Sequence, residues 1–278
     1  MADELSPRSE LRRTDQRKRR RQRRRVALIG FVVVLLIVAA AGVFVATRDD
    51  SEQAAPKPPT TTTQQAENTE GISATYAAAP LRNAITKGGD VAVYASPDAN
   101  AQPTTTLPAE TEYTLPASFL VFDQYQDWLH VYLPVRPNDA TGWIKASDVT
   151  VSQPLEYQIK VSLADHKLTL LKNGAVQFDA PAATGTGDTP TPTGTFYYTD
   201  PLDLANQPGT GYGVFAIGLS GHSNVLQTFA GGDGQIAVHG TDDTGTIGQS
   251  VSHGCVRVQN DVILKLSKLP LGTPVVIT

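Results

Sequence analysis

The sequence predicts a mainly β protein, in which two folded β domains and one short helix are carried behind an N-terminal transmembrane helix. Three observations predict it. Residues 26–46 form an uncharged run rich in Val, Leu, Ile and Ala, directly after a strongly basic segment. From about residue 85 apolar residues recur in short runs, several with a period of two, broken by Gly, Pro, Asn and Asp. Residues 260–268 are the one stretch there with apolar side chains at helical spacing.

Residues 1–25 hold 11 Lys/Arg, among them Arg12, Arg13, Arg17, Lys18, Arg23 and Arg25, and 4 Asp/Glu. A basic cluster is a nucleic-acid signal in other settings, but here an apolar segment follows it immediately. That segment is long enough for a membrane-spanning helix, which needs about 20 residues. Lys and Arg accumulate on the cytoplasmic side. Residues 1–25 are therefore expected inside, residues 26–46 in the cell membrane, and everything after residue 47 outside. A cleaved signal peptide is the alternative, since Ala39, Ala40 and Ala41 offer a small-residue cleavage site. The apolar run exceeds the usual signal core, which favours the anchor. The whole chain has 23 basic and 27 acidic residues, so 12 and 23 remain after residue 25, a net charge of −11 for that part. An acidic exterior argues against nucleic-acid binding. Residues 47–83, with the prolines at 56, 58 and 59 and the threonines at 60–63, hold too few apolar residues for a core and read as a disordered linker.

Residues 84–152 form the first expected domain. Val91, Ala92, Val93 and Tyr94 run into a Ser-Pro-Asp turn, and Phe119, Leu120, Val121 and Phe122 precede a polar turn. The run 128–133 alternates with a strand period, and Thr141, Gly142, Trp143 and Ile144 lead into a further strand. Trp128 with Val131, followed by Gly142, Trp143 and Ile144, resembles a bacterial SH3-like domain, which implies a small barrel. Both tryptophans of the chain fall inside it. They are either core of the barrel or part of a wall-peptide binding surface.

Gln153 and Pro154 mark a boundary, and residues 155–278 form the second domain. Two strand-like runs, 157–161 and 167–171, are followed by Asn173 and Gly174, a strong hairpin turn. Residues 181–195 read as a long loop and 196–199 as a strand. Residues 202–232 are glycine-rich and poorly periodic, a candidate lid or groove wall, with His222 in a Gly/Ser-rich loop that either faces solvent or lines a substrate groove. Asn260 is expected to cap the helix 260–268.

Near the end of this domain stand Ser252, His253, Gly254, Cys255, Val256 and Arg257. Cys255 is the single cysteine, so an intrachain disulfide is excluded. His239 precedes it in Val238, His239, Gly240 and Thr241, after a strand-like run, with a polar loop at 242–251 between them. Thiolate is the nucleophilic form of cysteine. An imidazole in reach can take its proton and return it to a leaving amine, and backbone N–H groups near Gly254 could hold an oxyanion. An inert buried thiol is one alternative. A zinc site built from His239, His253, Cys255 and Asp242 or Asp243 is another, although the spacings give no Cys-x-x-Cys or His-x-x-x-His pattern.

Residues 155–278 resemble the catalytic domain of YkuD-type L,D-transpeptidases. The resemblance rests on His239, Gly240 and Thr241, on Ile247 and Gly248, on Ser252 through Arg257, on the run 271–277, and on Thr191 through Phe196. It implies a β-rich domain that cross-links peptidoglycan stem peptides. Cys255 would attack the carbonyl of the third stem residue, D-alanine would leave, and an amine of a neighbouring stem would resolve the thioester. In that scheme His239 is the base, the Gly240 carbonyl orients it, and the N–H groups of His253, Gly254 and Cys255 bind the oxyanion. Ser252 and His253 shape the pocket. Arg257 either contacts a substrate carboxylate or pairs with Asp242 or Asp243. No cofactor or metal is implied. L,D-carboxypeptidase activity, with water resolving the thioester, and a non-catalytic wall-binding scaffold are the alternatives.

Overall fold

The computed structural model describes residues 80–207 and 209–278. The basic tail, the candidate anchor and nearly all of the linker lie outside the described residues. Within them the chain is mainly β, with one α-helix and two short 3-10 turns.

The first sheet has five strands: β1 (Arg82–Thr86), β4 (Ser118–Tyr125), β5 (Trp128–Tyr132), β6 (Thr141–Lys145) and β7 (Val149–Val151), in the order β6-β5-β4-β1-β7. A separate hairpin pairs β2 (Val91–Val93) with β3 (Thr105–Leu107). β1 begins two residues before the expected boundary at 84. Strand alternation puts Phe119, Val121, Leu129, Val131 and Ile144 into one core. Both tryptophans are core: Trp128, Trp143 and Tyr94 form a satellite cluster, and the His130 ring stacks on Trp143 at 4.4 Å.

The second sheet has eight strands: β8 (Tyr157–Ser162), β9 (Lys167–Lys172), β10 (Ala175–Pro181), β12 (Gly194–Asp203), β13 (Phe215–His222), β14 (Gln235–His239), β16 (Val256–Arg257) and β17 (Pro274–Ile277). Their order is β10-β9-β8-β17-β12-β13-β14-β16. The pair β11 (Thr184–Gly185) and β15 (Ser250–Ser252) runs parallel beside it. Asn173 and Gly174, both at positive φ (49° and 77°), turn β9 into β10 as expected. Two expected loops contain strands instead. β11 and the start of β12 fall inside 181–195, and β13 falls inside 202–232. β13 was hidden because its residues are buried on both faces, so it carries no alternation. Its glycines mark close packing: a Cβ on Gly221 would stand 2.4 Å from the Phe196 ring.

The helix α1 (Asn260–Leu266) buries Val262, Ile263 and Leu266 against β13 and β14. It is shorter than expected, and its cap is Gln259, not Asn260. Asn260 lies within the helix because its side chain is committed elsewhere, as described below.

The two sheets are joined by polar contacts. Tyr197 Oη donates to the Ser118 carbonyl at 2.9 Å and the Tyr132 carbonyl at 3.3 Å. The Thr195 N–H donates to Asp139 at 2.8 Å, and Asn138 brackets both backbone groups of His222. Arg136 Nη2 donates to the carbonyls of Asp233, Leu226 and Ser223.

Candidate active site

β14 and β16 run parallel, with Val238 opposite Val256 and His239 opposite Arg257. Val238 and Val256 are buried in the apolar core. Strand alternation therefore places His239, Arg257 and, one residue before Val256, Cys255 on the other face. They converge there on one cavity of about 120 Å³, lined also by Thr210, Gly211, Tyr212, Phe229, Ser252 and His253.

His239 is 3% exposed. Its Nδ1 lies 2.6 Å from the Gly240 carbonyl oxygen. A carbonyl only accepts, so Nδ1 carries the proton and Nε2 keeps its lone pair. Burial lowers its pKa to about 4, despite the opposing Gly240 hydrogen bond, so the ring is neutral at pH 7. Gly240 itself is fixed by its N–H bond to the Phe215 carbonyl at 3.0 Å. Burial pushes the Cys255 thiol up from its ordinary value, with the Ala237 backbone and the Arg257 charge partly offsetting it.

The turn that carries Cys255 is held from within. Ser252 Oγ donates to the Cys255 carbonyl at 2.6 Å and accepts from the Gly254 N–H at 3.1 Å. Gly254 sits at φ 118°, which a side chain would strain. Its N–H is thus occupied and unavailable to an oxyanion, contrary to the expectation for Gly254. Among the described residues the N–H groups of His253 and Cys255 make no hydrogen bond to protein.

Arg257 makes no ion pair among the described residues, and its Nε is buried without a partner. Asp242 instead accepts from Asn260 Nδ2 at 3.3 Å, so the expected structural pair with Asp242 or Asp243 is not formed. His222 also departs from expectation. It is 6% exposed at the end of β13, with Nε2 2.8 Å from Asp233 Oδ2. His239, His253 and Cys255 line one cavity, but no group of three or more His, Cys, Asp or Glu able to hold a metal ion is found among the described residues.

Three residues of the site escaped the sequence reading. The Tyr212 ring lies 4.6 Å from that of His239, and the Phe229 ring 5.2 Å from that of His253, so both come from the stretch read as a lid or groove wall. Asn260 ties this stretch down: its Oδ1 accepts from the Val214 N–H at 3.2 Å while its Nδ2 reaches Asp242. Its cap-like sequence position was the misleading signal.

Comparison with known proteins gives the class of this site. Residues 156–277 match the family model of the L,D-transpeptidase catalytic domain, YkuD. A Bacillus licheniformis protein, named as a candidate L,D-transpeptidase YkuD, is 31% identical over 125 residues, covering 45% of this chain and 67% of the relative. Its Bacillus subtilis (strain 168) counterpart is 36% identical over 124 residues, covering 44% of this chain. The match spans 66% of that relative's length, just under two thirds. An L,D-transpeptidase crystal structure from Mycobacterium tuberculosis H37Rv covers 64% of this chain and 70% of its own, at 18% identity and a TM-score of 0.37. The chain belongs to the YkuD-type L,D-transpeptidase family.

Proposed function

We propose that the protein is a peptidoglycan L,D-transpeptidase. The observation that carries this reading is the neutral His239, with Nδ1–H donated to the Gly240 carbonyl, on the same strand face and cavity wall as Cys255. His239 Nε2 takes the thiol proton as Sγ attacks the carbonyl of the third stem residue. The N–H groups of His253 and Cys255 receive the oxyanion. The proton passes to the leaving D-alanine amine, leaving a thioester. An amine of a neighbouring stem then attacks, His239 takes its proton, and the thiol is reformed with a new amide cross-link. Arg257, half-buried and with its Nε unpaired, binds a substrate carboxylate. Ser252 holds the turn and His253 lines the pocket. The scheme needs no cofactor.

In the same reading residues 84–152 are an SH3-like module and residues 155–278 the catalytic domain. Residues 26–46 anchor the chain in the cell membrane with the 1–25 tail inside and a spacer at 47–83, so that the site faces the wall. The test is product analysis with a tetrapeptide stem. Cross-linked dimer and free D-alanine are expected from the unmodified chain, and nothing from Cys255→Ala. Free tripeptide alone would reassign the protein as an L,D-carboxypeptidase. No product, together with no carbapenem adduct on a reduced Cys255, would leave only a scaffold.

A further inference from the structure

Residues 223–234 connect β13 to β14 and carry Phe229 to the site. Phe229 lines both the cavity of about 120 Å³ around Cys255 and a larger groove of about 490 Å³ that also reaches Cys255. Its ring stands where the two spaces meet, 5.2 Å from the His253 ring. A shift of this ring changes the room beside Cys255 and beside the His253 N–H, one of the two proposed oxyanion donors.

Apolar burial does not hold this connection in place, since Phe229 is 37% exposed and Val225 52%. The tip closes on itself. Phe229 and Gly232 exchange both backbone hydrogen bonds, at 3.1 and 2.9 Å. Between them Ala230 and Gly231 sit at φ 50° and 93°, as a tight primed turn requires. That pair stiffens the tip without fixing its direction.

The direction is set at the base, by the other sheet. Residues 134–139, between β5 and β6, bring Arg136 and Asn138 to it. Arg136 Nη2 donates to the carbonyls of Asp233, Leu226 and Ser223 at 2.8, 3.1 and 3.3 Å. One guanidinium nitrogen thus gathers both ends of the connection. Asn138 Nδ2 donates to the His222 carbonyl at 2.8 Å and to Asn224 Oδ1 at 3.1 Å, and its Oδ1 accepts from the His222 N–H at 2.9 Å. Gly234 makes room for the clamp. It sits at φ 82°, and a Cβ there would meet the Leu226 carbonyl and come within 3.0 Å of Arg136 Nη2. Hydrogen bonds from a charged donor are roughly twice as strong as neutral ones. Arg136 has no ion pair among the described residues to compete for it.

We propose that Arg136 is a positioning residue for acyl transfer. It lines neither the cavity nor the groove at Cys255. From the five-stranded sheet it clamps residues 223–234, and so seats Phe229 against His253 beside the nucleophile. Asn138 holds the same connection at its first residues. The chemistry served rests on the transpeptidase reading.

The test is a double-mutant cycle in the full chain, read as the rate at which a carbapenem acylates Cys255, followed by intact mass. Arg136→Met removes the donors and keeps a stem of similar length. It should slow acylation roughly ten- to a hundred-fold, as displacing a group at the site by about an ångström does. In a Phe229→Ala background the same change should slow it by less than about twofold, because the ring that Arg136 positions is gone. A general weakening of the fold would instead slow both backgrounds alike. Equal slowing in the two backgrounds, or no slowing in either, overturns the proposal and leaves Arg136 a contact of the seam alone. Should Arg136→Met fail to fold, Asn138→Ala enters the same cycle and is judged by the same two outcomes. The transpeptidase reading fails separately, when the unmodified chain forms no adduct.

Discussion

Burial lowers the pKa of His239 to about 4 and raises that of the Cys255 thiol, so both groups are uncharged at neutral pH. The thiol is then activated by proton transfer during attack, and activity should not track a pre-formed thiolate. Carbapenem acylation followed by stopped-flow fluorescence should be nearly flat from about pH 5 to 8 in the unmodified chain. In His239→Ala it should fall about 10²–10⁴-fold at neutral pH, the usual worth of general-base help. It should then climb tenfold per pH unit to beyond the ordinary thiol pKa. A flat profile in the variant would mean that His239 is not the base. The same burial affects stability. The unfolded chain binds a proton on His239 below about pH 6.5 and the folded chain only below about 4. Stability is therefore retained above pH 6.5 and lost as pH falls to 4, by about 3 kcal/mol. Urea unfolding should lose this pH dependence in His239→Gln. Ser252 tests the turn: Ser252→Ala removes both hydrogen bonds that hold the 252–255 turn, each worth about 1 kcal/mol. Slower acylation with a smaller loss of melting temperature is the expected result.

At the level of elements, Asn260 links α1 to the strap over the site. Asn260→Ala would free the Val214 N–H and Asp242 together, so a higher KM and a loss of about 1–2 kcal/mol are expected. Unchanged kinetics in Asn260→Ala would assign the residue to helix packing alone. A second change tests the β13 interior: Gly221→Ala drives a Cβ into the Phe196 ring and should cost about 1–3 kcal/mol in thermal unfolding. These residues also show which elements could be read from sequence. The β9–β10 hairpin was legible because Asn173 and Gly174 name their own turn, and α1 because Val262, Ile263 and Leu266 repeat at helical spacing. β13 was not, since Phe215–His222 is buried on both faces and its glycines imitate a loop. Likewise Cys255, His239 and Gly240 stood out by chemistry and spacing. Tyr212, Phe229 and Asn260 reach the site only through the tertiary fold, and no local pattern marks such residues. The occupied N–H of Gly254 was equally invisible, because it depends on the rotamer of Ser252.

For the molecule as a whole, the seam between the sheets is held by groups that neither sheet can satisfy alone. Tyr197 is completely buried, and its hydroxyl reaches carbonyls of Ser118 and Tyr132 across the seam. Tyr197→Phe leaves those carbonyls short of a donor and should cost about 1–3 kcal/mol. In differential scanning calorimetry of residues 80–278 the endotherm should move down and broaden as the two sheets lose their shared transition. A midpoint unchanged within error would show that the seam adds nothing to cooperativity. The place of β17 in the large sheet has a different consequence. Residues 274–277 lie between β8 and β12 and, among the described residues, are the only strand joining the β8–β10 group to the β12–β16 group. Until this segment has left the ribosome, and for an exported chain until it has crossed the membrane, the sheet is two separate halves with open edges. β8–β10 and β12–β16 each pair within themselves, and the sheet closes only when residues 274–277 join them. The order of the strands thereby makes closure of the sheet wait on the last strand of the described chain.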